Sequence, residues 1–396
     1  MIHPAHSDHN SPQVPIAAHD GADTEAVELL RSLVAIPSVS RNEKGASEFL
    51  VRAMTLLGLR ASIDSSGSVV GVRGSSDALA KEIVLLGHID TVPGHISIRV
   101  EDDCLYGRGS VDAKGPLAAF TLAAARATLT PGTRVKVIGA VEEEISTSSG
   151  ARLAATRDNP VACIIGEPSG EDGITIGYKG RLIAELSVSV AGSHSAGPEP
   201  TAGEMAFEIW KRVVVASDAF AAQTARAFDR VQSRLRSVHT SSDGLEERAE
   251  MSIGFRLPPG VLPSMIEDLC RRSADEMAAD VKWSFVGHEL ACLADRSNAV
   301  VRALSSAIRE TIGVPRIKVK TGTSDMNIVA PVWGCPIAAY GPGDSSLDHT
   351  PNEHIRLSEY LRSIQVLTRA VGTLSAEAAN SREGREETAI DTGVRS

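Results

Sequence analysis

Three short runs limit what this chain can fold into: EIVLL (residues 82–86), VKVIGAV (135–141) and VACII (161–165). Such runs offer almost no polar face to water. They read as strands covered on both sides, as in a parallel sheet between helical layers. Each stops at ionisable residues: GHID after the first, EEE across the end of the second, GEP after the third. Helix signals fall between and around them. Helices are expected over 23–35, where Val27, Leu30, Leu33 and Val34 share a face and Pro37 is the stop, and over 46–57, ending at Gly58. Others are expected over 116–127, with Pro116 in the first turn, and near 148–157. A further strand is expected at 68–73. The alternation describes an α/β fold with a mainly parallel sheet.

From about Tyr178 the texture changes. RLIAELSVSVAG alternates like a half-exposed strand. A helix over 203–217, strands near 230–238 and 250–257, a helix after Pro263 and the strand DVKWSFVG follow. That order suggests a small α+β sandwich. After Asp295 a helix, the strand CPIAAYG and a helix over 358–374 resume the first style. The expected organisation is an α/β domain from 23–176 and 293–376, an α+β domain inserted at 177–292, and tails at 1–22 and 377–396. A chain of 396 residues is too long for one ordinary core, which agrees.

A net charge of −10 argues against nucleic acid as the main partner. No apolar run reaches the roughly 18–20 residues that span a bilayer, so no membrane partner is expected. The first residues lack a basic-then-apolar signal, so a cytoplasmic location is expected. The five cysteines form no CxxC pair, which speaks against a disulfide framework or thiolate metal site. His3, His6 and His9 lie in a Pro/Ser/Asn-rich stretch that reads as a solvated tail. GRGSVD lacks the third glycine of a dinucleotide loop, Asp112 standing in its place, and no GxSxG nucleophile elbow occurs.

Ligands of open parallel sheets bind at the carboxyl ends of strands. There, or in adjoining loops, stand His88 and Asp90, then Asp112, then Glu142, Glu143 and Glu144, then Glu167, and finally His349. One such residue is ordinarily a helix cap or a loop residue. Their convergence points to a metal centre. Histidine nitrogen with carboxylate oxygen and no thiolate suits zinc, cobalt or manganese. Two histidines and at least three carboxylates exceed what one catalytic zinc needs and suit two cations sharing a bridging carboxylate. In an extended segment neighbouring side chains diverge, so Glu143 and Glu144 are expected to point to opposite sides.

The motifs GHIDTVP, YGRGSVDAKGPLAA, VEEEISTSSGA, IIGEPS, VAGSHSA and DHTPNEHI occur in one order along nearly the whole chain. In these the sequence resembles the co-catalytic zinc family of aminoacylases, succinyl-diaminopimelate desuccinylases, acetylornithine deacetylases and related carboxypeptidases. The resemblance implies that His88 and Glu167 hold one metal, Glu144 and His349 the other, and that Asp112 bridges them. It implies two Zn2+ ions, with Co2+ as the alternative. Asp90 would fix the His88 tautomer. Glu143 would be the general base. Glu142 stands where the family has an aspartate. The inserted domain would be a lid and dimerisation module carrying His194, which stabilises the oxyanion, often from the partner subunit of a homodimer.

GYKGR (177–181) and KTGTSDMN (320–327) resemble the subgroup that releases lysine or ornithine from an amino-group carrier protein. There the amino acid is joined through its α-amino group to the terminal glutamate of a small acidic carrier. Arg256, Thr323 and Ser324 would bind a substrate carboxylate. Arg226, Arg230, Arg234 and Arg236 could form a basic face that steers the carrier, by alternation along a strand. The alternatives are a deacylase or dipeptidase acting on a free N-acyl amino acid, the same carrier-release step in a specialised-metabolite pathway, and a non-catalytic scaffold, which the filled ligand positions disfavour.

Overall fold

The computed structural model describes residues 21–194, 196–220 and 226–380. His3, His6 and His9 and most of the two expected tails lie outside the described residues. The three buried runs lie side by side. Strand Thr133–Ala140 pairs in parallel with Lys81–His88, which pairs in parallel with Ala162–Gly166, which takes Ile337–Ala339 in parallel. Every residue of Lys81–His88 beyond the first is buried. Alternation then divides the side chains between two cores. Ile83, Leu85, Val135 and Val137 meet Leu30, Leu33, Leu117, Phe120, Leu304 and Leu367 on one face. Val84, Leu86, Ile138 and Ile165 meet Ala151, Ala154, Met326 and Val329 on the other.

The margins of this sheet are largely antiparallel, although Arg316–Lys320 joins Gly173–Tyr178 in parallel. Arg60–Ile63 and Val69–Gly74 flank Thr133–Ala140, while Gly173–Tyr178 runs against Ile337–Ala339. The parallel reading therefore holds for the four central strands, and the whole sheet is mixed. Gly166 lies beside Gly87 in register. A Cβ on Gly166 would stand 2.8 Å from Phe120 Cε2 and 3.0 Å from the Gly87 Cα. Glycine here lets the helix Lys114–Arg126 press against the sheet just below the strand ends.

A second sheet is wholly antiparallel, in the order Gln232–Ser242, Glu246–Leu257, Gly180–Ala191, Asp280–Glu289. Leu182, Leu186, Met251 and Ile253 pack against Ile209 and Val213 of the helix Ala202–Asp218 and Ile266 and Leu269 of the helix Pro263–Ser273. Thr201 and Glu204 form a reciprocal capping box that starts the first of these helices. Tyr178 and Cys292, placed by the sequence in the inserted segment, instead pair with each other in the large sheet. The last helix runs over Leu357–Asn380, so residues 377–380 are helical rather than tail. Among the described residues no helix is long and apolar enough to cross a membrane.

Candidate metal centre

His88 closes the strand Lys81–His88 and is buried. Its Nε2 lies 3.2 Å from Asp112 Oδ1, and its Nδ1 lies 3.1 Å from the Asp90 carbonyl oxygen. Asp112 sits in the turn before the helix Lys114–Arg126. Glu353 holds that turn: its Oε1 accepts the backbone N–H groups of Val111 at 3.0 Å and Asp112 at 3.1 Å, and its Oε2 accepts Arg108 at 2.7 Å. His349 Nε2 stands 3.0 Å from Asp112 Oδ2 and 3.1 Å from the Glu144 carboxylate. His88, Asp112 and Glu144 offer ligand atoms all within 4.8 Å of one another. Glu167, just past the strand Ala162–Gly166, is buried outside this tight group but within electrostatic reach of Asp112 and His88.

The glutamate triplet differs from the extended segment expected. It forms a turn, and Glu142 takes a left-handed backbone at φ 63°. The Thr147 hydroxyl donates to the Glu142 carboxylate, which is thereby turned aside. The Asp90 carboxylate fixes the other two glutamates through their backbones, accepting the N–H of Glu143 and of Glu144 at 3.1 Å each. The Ser40 hydroxyl donates to it at 2.7 Å. Asp90 Oδ1 is 3.5 Å from His88 Nδ1, so its tie to the glutamates is closer than its tie to the histidine.

Charge is unevenly compensated here. Burial pushes Glu143 well above the usual carboxylate range; His88 opposes this, while Glu167 and Asp325 add to it. Burial, with Asp112 adding, pushes Glu167 up to about 8. Burial also raises Glu144, despite His349. Asp112 goes the other way: burial opposes its charge, but hydrogen bonds from His349 and His88 win and hold it low. The bonds with Asp112 and Glu144 push His349 up to about 10. Two histidines thus stand among buried carboxyl groups whose charge is poorly compensated, the position a divalent cation takes. The Tyr178 hydroxyl and Asp348 Oδ1, buried without partners, are within electrostatic reach of Asp112 and Glu167. This N/O donor set with unmet polar groups fits divalent cations.

Arg256, at the end of the strand Glu246–Leu257, donates to the Thr323 hydroxyl, which donates to the Lys179 carbonyl at 3.1 Å. Arg256 lies within electrostatic reach of Glu143, so this pair borders the cluster. Ser324 is buried, its N–H donating to Asn327 Oδ1 at 3.0 Å. His194 is not brought to the cluster; it is exposed beyond the strand Gly180–Ala191, its Nδ1 accepting the Ala196 N–H at 3.1 Å. The row of arginines is interrupted. Arg226 pairs with Asp229 at 2.7 Å, and the register shifts between Leu235 and Ser237, breaking simple alternation at Arg236. Sequence reasoning assigned no role to Glu353, Ser40, Tyr178 or Asp325. Glu353 and Asp325 stood inside quoted motifs, but nothing in spacing marks which backbone groups a carboxylate meets.

Histidine nitrogens and carboxylate oxygens gathered at the carboxyl ends of the parallel central strands, in a chain with an inserted antiparallel sheet, define a metal-binding hydrolase. The chain belongs to peptidase family M20/M25/M40, which matches residues 84–373. It is 46% identical over 357 residues to a protein of Deinococcus radiodurans named LysW-lysine hydrolase, covering 88% of this chain and 97% of that one. It is 29% identical over 353 residues to a LysW-lysine/LysW-ornithine hydrolase of Saccharolobus islandicus, covering 88% of this chain and 96% of that one. In fold it is similar to Bacillus subtilis YXEP, described as a dinuclear metal-binding peptidase. That match has a TM-score of 0.65 at 13% identity, over 90% of this chain and 99% of that one.

Proposed function

We propose that this chain hydrolyses the amide joining lysine or ornithine to the terminal glutamate of a small acidic carrier protein. The observation that carries the reading is the 46% identity to a LysW-lysine hydrolase over nearly the full length of both chains. His88 and Glu167 would hold one cation and Glu144 and His349 a second, with Asp112 lying between the two pairs; zinc suits the donor set best and cobalt is the alternative. Such cations, when bound, polarise the scissile carbonyl and acidify water.

The remaining chemistry belongs to the side chains. Glu143 takes a proton from the attacking water and later delivers it to the leaving α-amine as the C–N bond breaks. Asp90 holds the Glu143 and Glu144 backbones in place while it does so. Arg256 and Thr323, with Ser324 behind them, receive the α-carboxylate of the leaving amino acid. His194 acts across a homodimer, reaching the scissile carbonyl oxygen of the partner protomer's substrate. The inserted antiparallel sheet with its two helices, from Gly180 to Glu289, is the lid and dimer module.

Rates on a purified lysine-carrier conjugate, N-acetyl-lysine and N-acetyl-ornithine, each with zinc-loaded protein, test this reading. The expected result is turnover of the conjugate and little turnover of the free compounds. Equal turnover of all three would replace it with a free-substrate deacylase.

A further inference from the structure

Asp325 is a buried carboxylate, 3% exposed, and neither of its oxygens has a hydrogen-bond partner. No other carboxylate among the described residues has both oxygens buried and unmet. It stands at the N-cap of the helix Met326–Trp333, where an aspartate ordinarily accepts a backbone N–H, yet it makes no cap bond. The nearby cations are engaged elsewhere: Arg152 and Arg181 both hold Glu289, at 2.9 and 3.0 Å. Both arginines lie within electrostatic reach of Asp325, as do His88 and Asp90. Asp325 in turn acts on Glu143 and Glu167. A buried carboxyl group is thus left without a hydrogen-bond partner beside the reacting centre, at a free-energy cost that a ligand cation would remove.

The chain position narrows the ligand. Asp325 lies two residues beyond Thr323, whose hydroxyl binds Arg256. One short loop therefore ties the cationic Arg256, through Thr323, to an anionic group two residues on. Lysine and ornithine carry a carboxylate and, on a tether of four or three carbons, a primary ammonium. Resting on the proposed function, we infer that Asp325 receives the terminal ammonium of the departing amino acid and selects for a basic side chain. A buried charge-assisted contact discriminates strongly against an analogue that lacks the charge.

The test uses the full zinc-loaded chain with two carrier conjugates, one bearing lysine and one bearing norleucine, which lacks the ammonium. Asp325→Asn preserves shape and removes the charge. The ratio of its kcat/KM on the lysine conjugate to that on the norleucine conjugate is expected to fall about 10- to 100-fold, whatever loss the two conjugates share through Glu143. Calorimetric binding of free lysine should weaken by a similar factor, and binding of norleucine should not change. Equal losses on both conjugates, or no loss on either, would overturn the assignment. Should the wild-type chain turn over neither conjugate, the carrier reading fails. The binding comparison then decides Asp325 alone: lysine binding weakened selectively supports it, and unchanged lysine binding overturns it.

Discussion

Each residue of the glutamate triplet meets different surroundings, and those surroundings separate their roles. Glu142 turns aside to Thr147, Glu143 is half-buried with its charge opposed, and Glu144 meets His349. Glu143→Ala should retain both metals by elemental analysis while turnover drops by about 10²- to 10⁴-fold, the range for a lost general base. Retained turnover would remove Glu143 from that role. Glu353 makes a second prediction. Its fully buried carboxylate neutralises Arg108 and fixes the Asp112 turn. Removing one partner of a buried pair strands the other, so Glu353→Ala should destabilise the fold by about 3–5 kcal/mol in urea unfolding. The ligand-type residues were legible in the sequence because each follows an apolar run. Their backbone anchors were not. That Asp90 binds the amides of Glu143 and Glu144 depends on a contact across 53 residues, which no local pattern encodes.

Among the secondary-structure elements, the strand ends work as a platform because the helix Lys114–Arg126 lies close beneath them. Gly166 permits that approach, since a Cβ there would meet Phe120 at 2.8 Å. Gly166→Ala should destabilise by about 1–3 kcal/mol through overpacking, read as a lower midpoint in denaturant, and lower metal affinity with it. A change in stability without loss of metal affinity would separate the helix contact from the site. The central strands and their covering helices were legible because burial on both faces writes unbroken apolar runs. Of the marginal strands, Val69–Gly74 was expected and two others were not. Arg60–Ile63 and Arg316–Lys320 are short, largely exposed or half-buried, and carry charge, so neither period nor composition marks them. The helix Met326–Trp333 was hidden for another reason: eight residues with Pro331 inside give too short a pattern to read.

At the scale of the whole molecule, the metal site and the fold are coupled through protons. Glu167 sits at about 8 in the folded chain, above its ordinary 4.5, so the folded state binds more protons than the unfolded one between those values. Raising pH through that window therefore removes stability. His349, at about 10 against 6.5 and partly screened by solvent, acts in the same direction at higher pH. The metal-free protein should lose thermal stability from about pH 5 to about pH 9, and zinc should flatten that slope by replacing the protons. A slope unchanged by zinc would contradict a site built on these residues. The two-sheet architecture was legible from the change of texture near Tyr178, although the chain hands over two residues later than the texture suggests. The most direct test of the whole account is intact mass spectrometry of a lysine-carrier conjugate incubated with metal-loaded and with chelator-treated protein. The account predicts that the carrier loses the mass of one lysine residue only in the metal-loaded reaction. Release that survives full metal removal, or a carrier left intact in both, would contradict it.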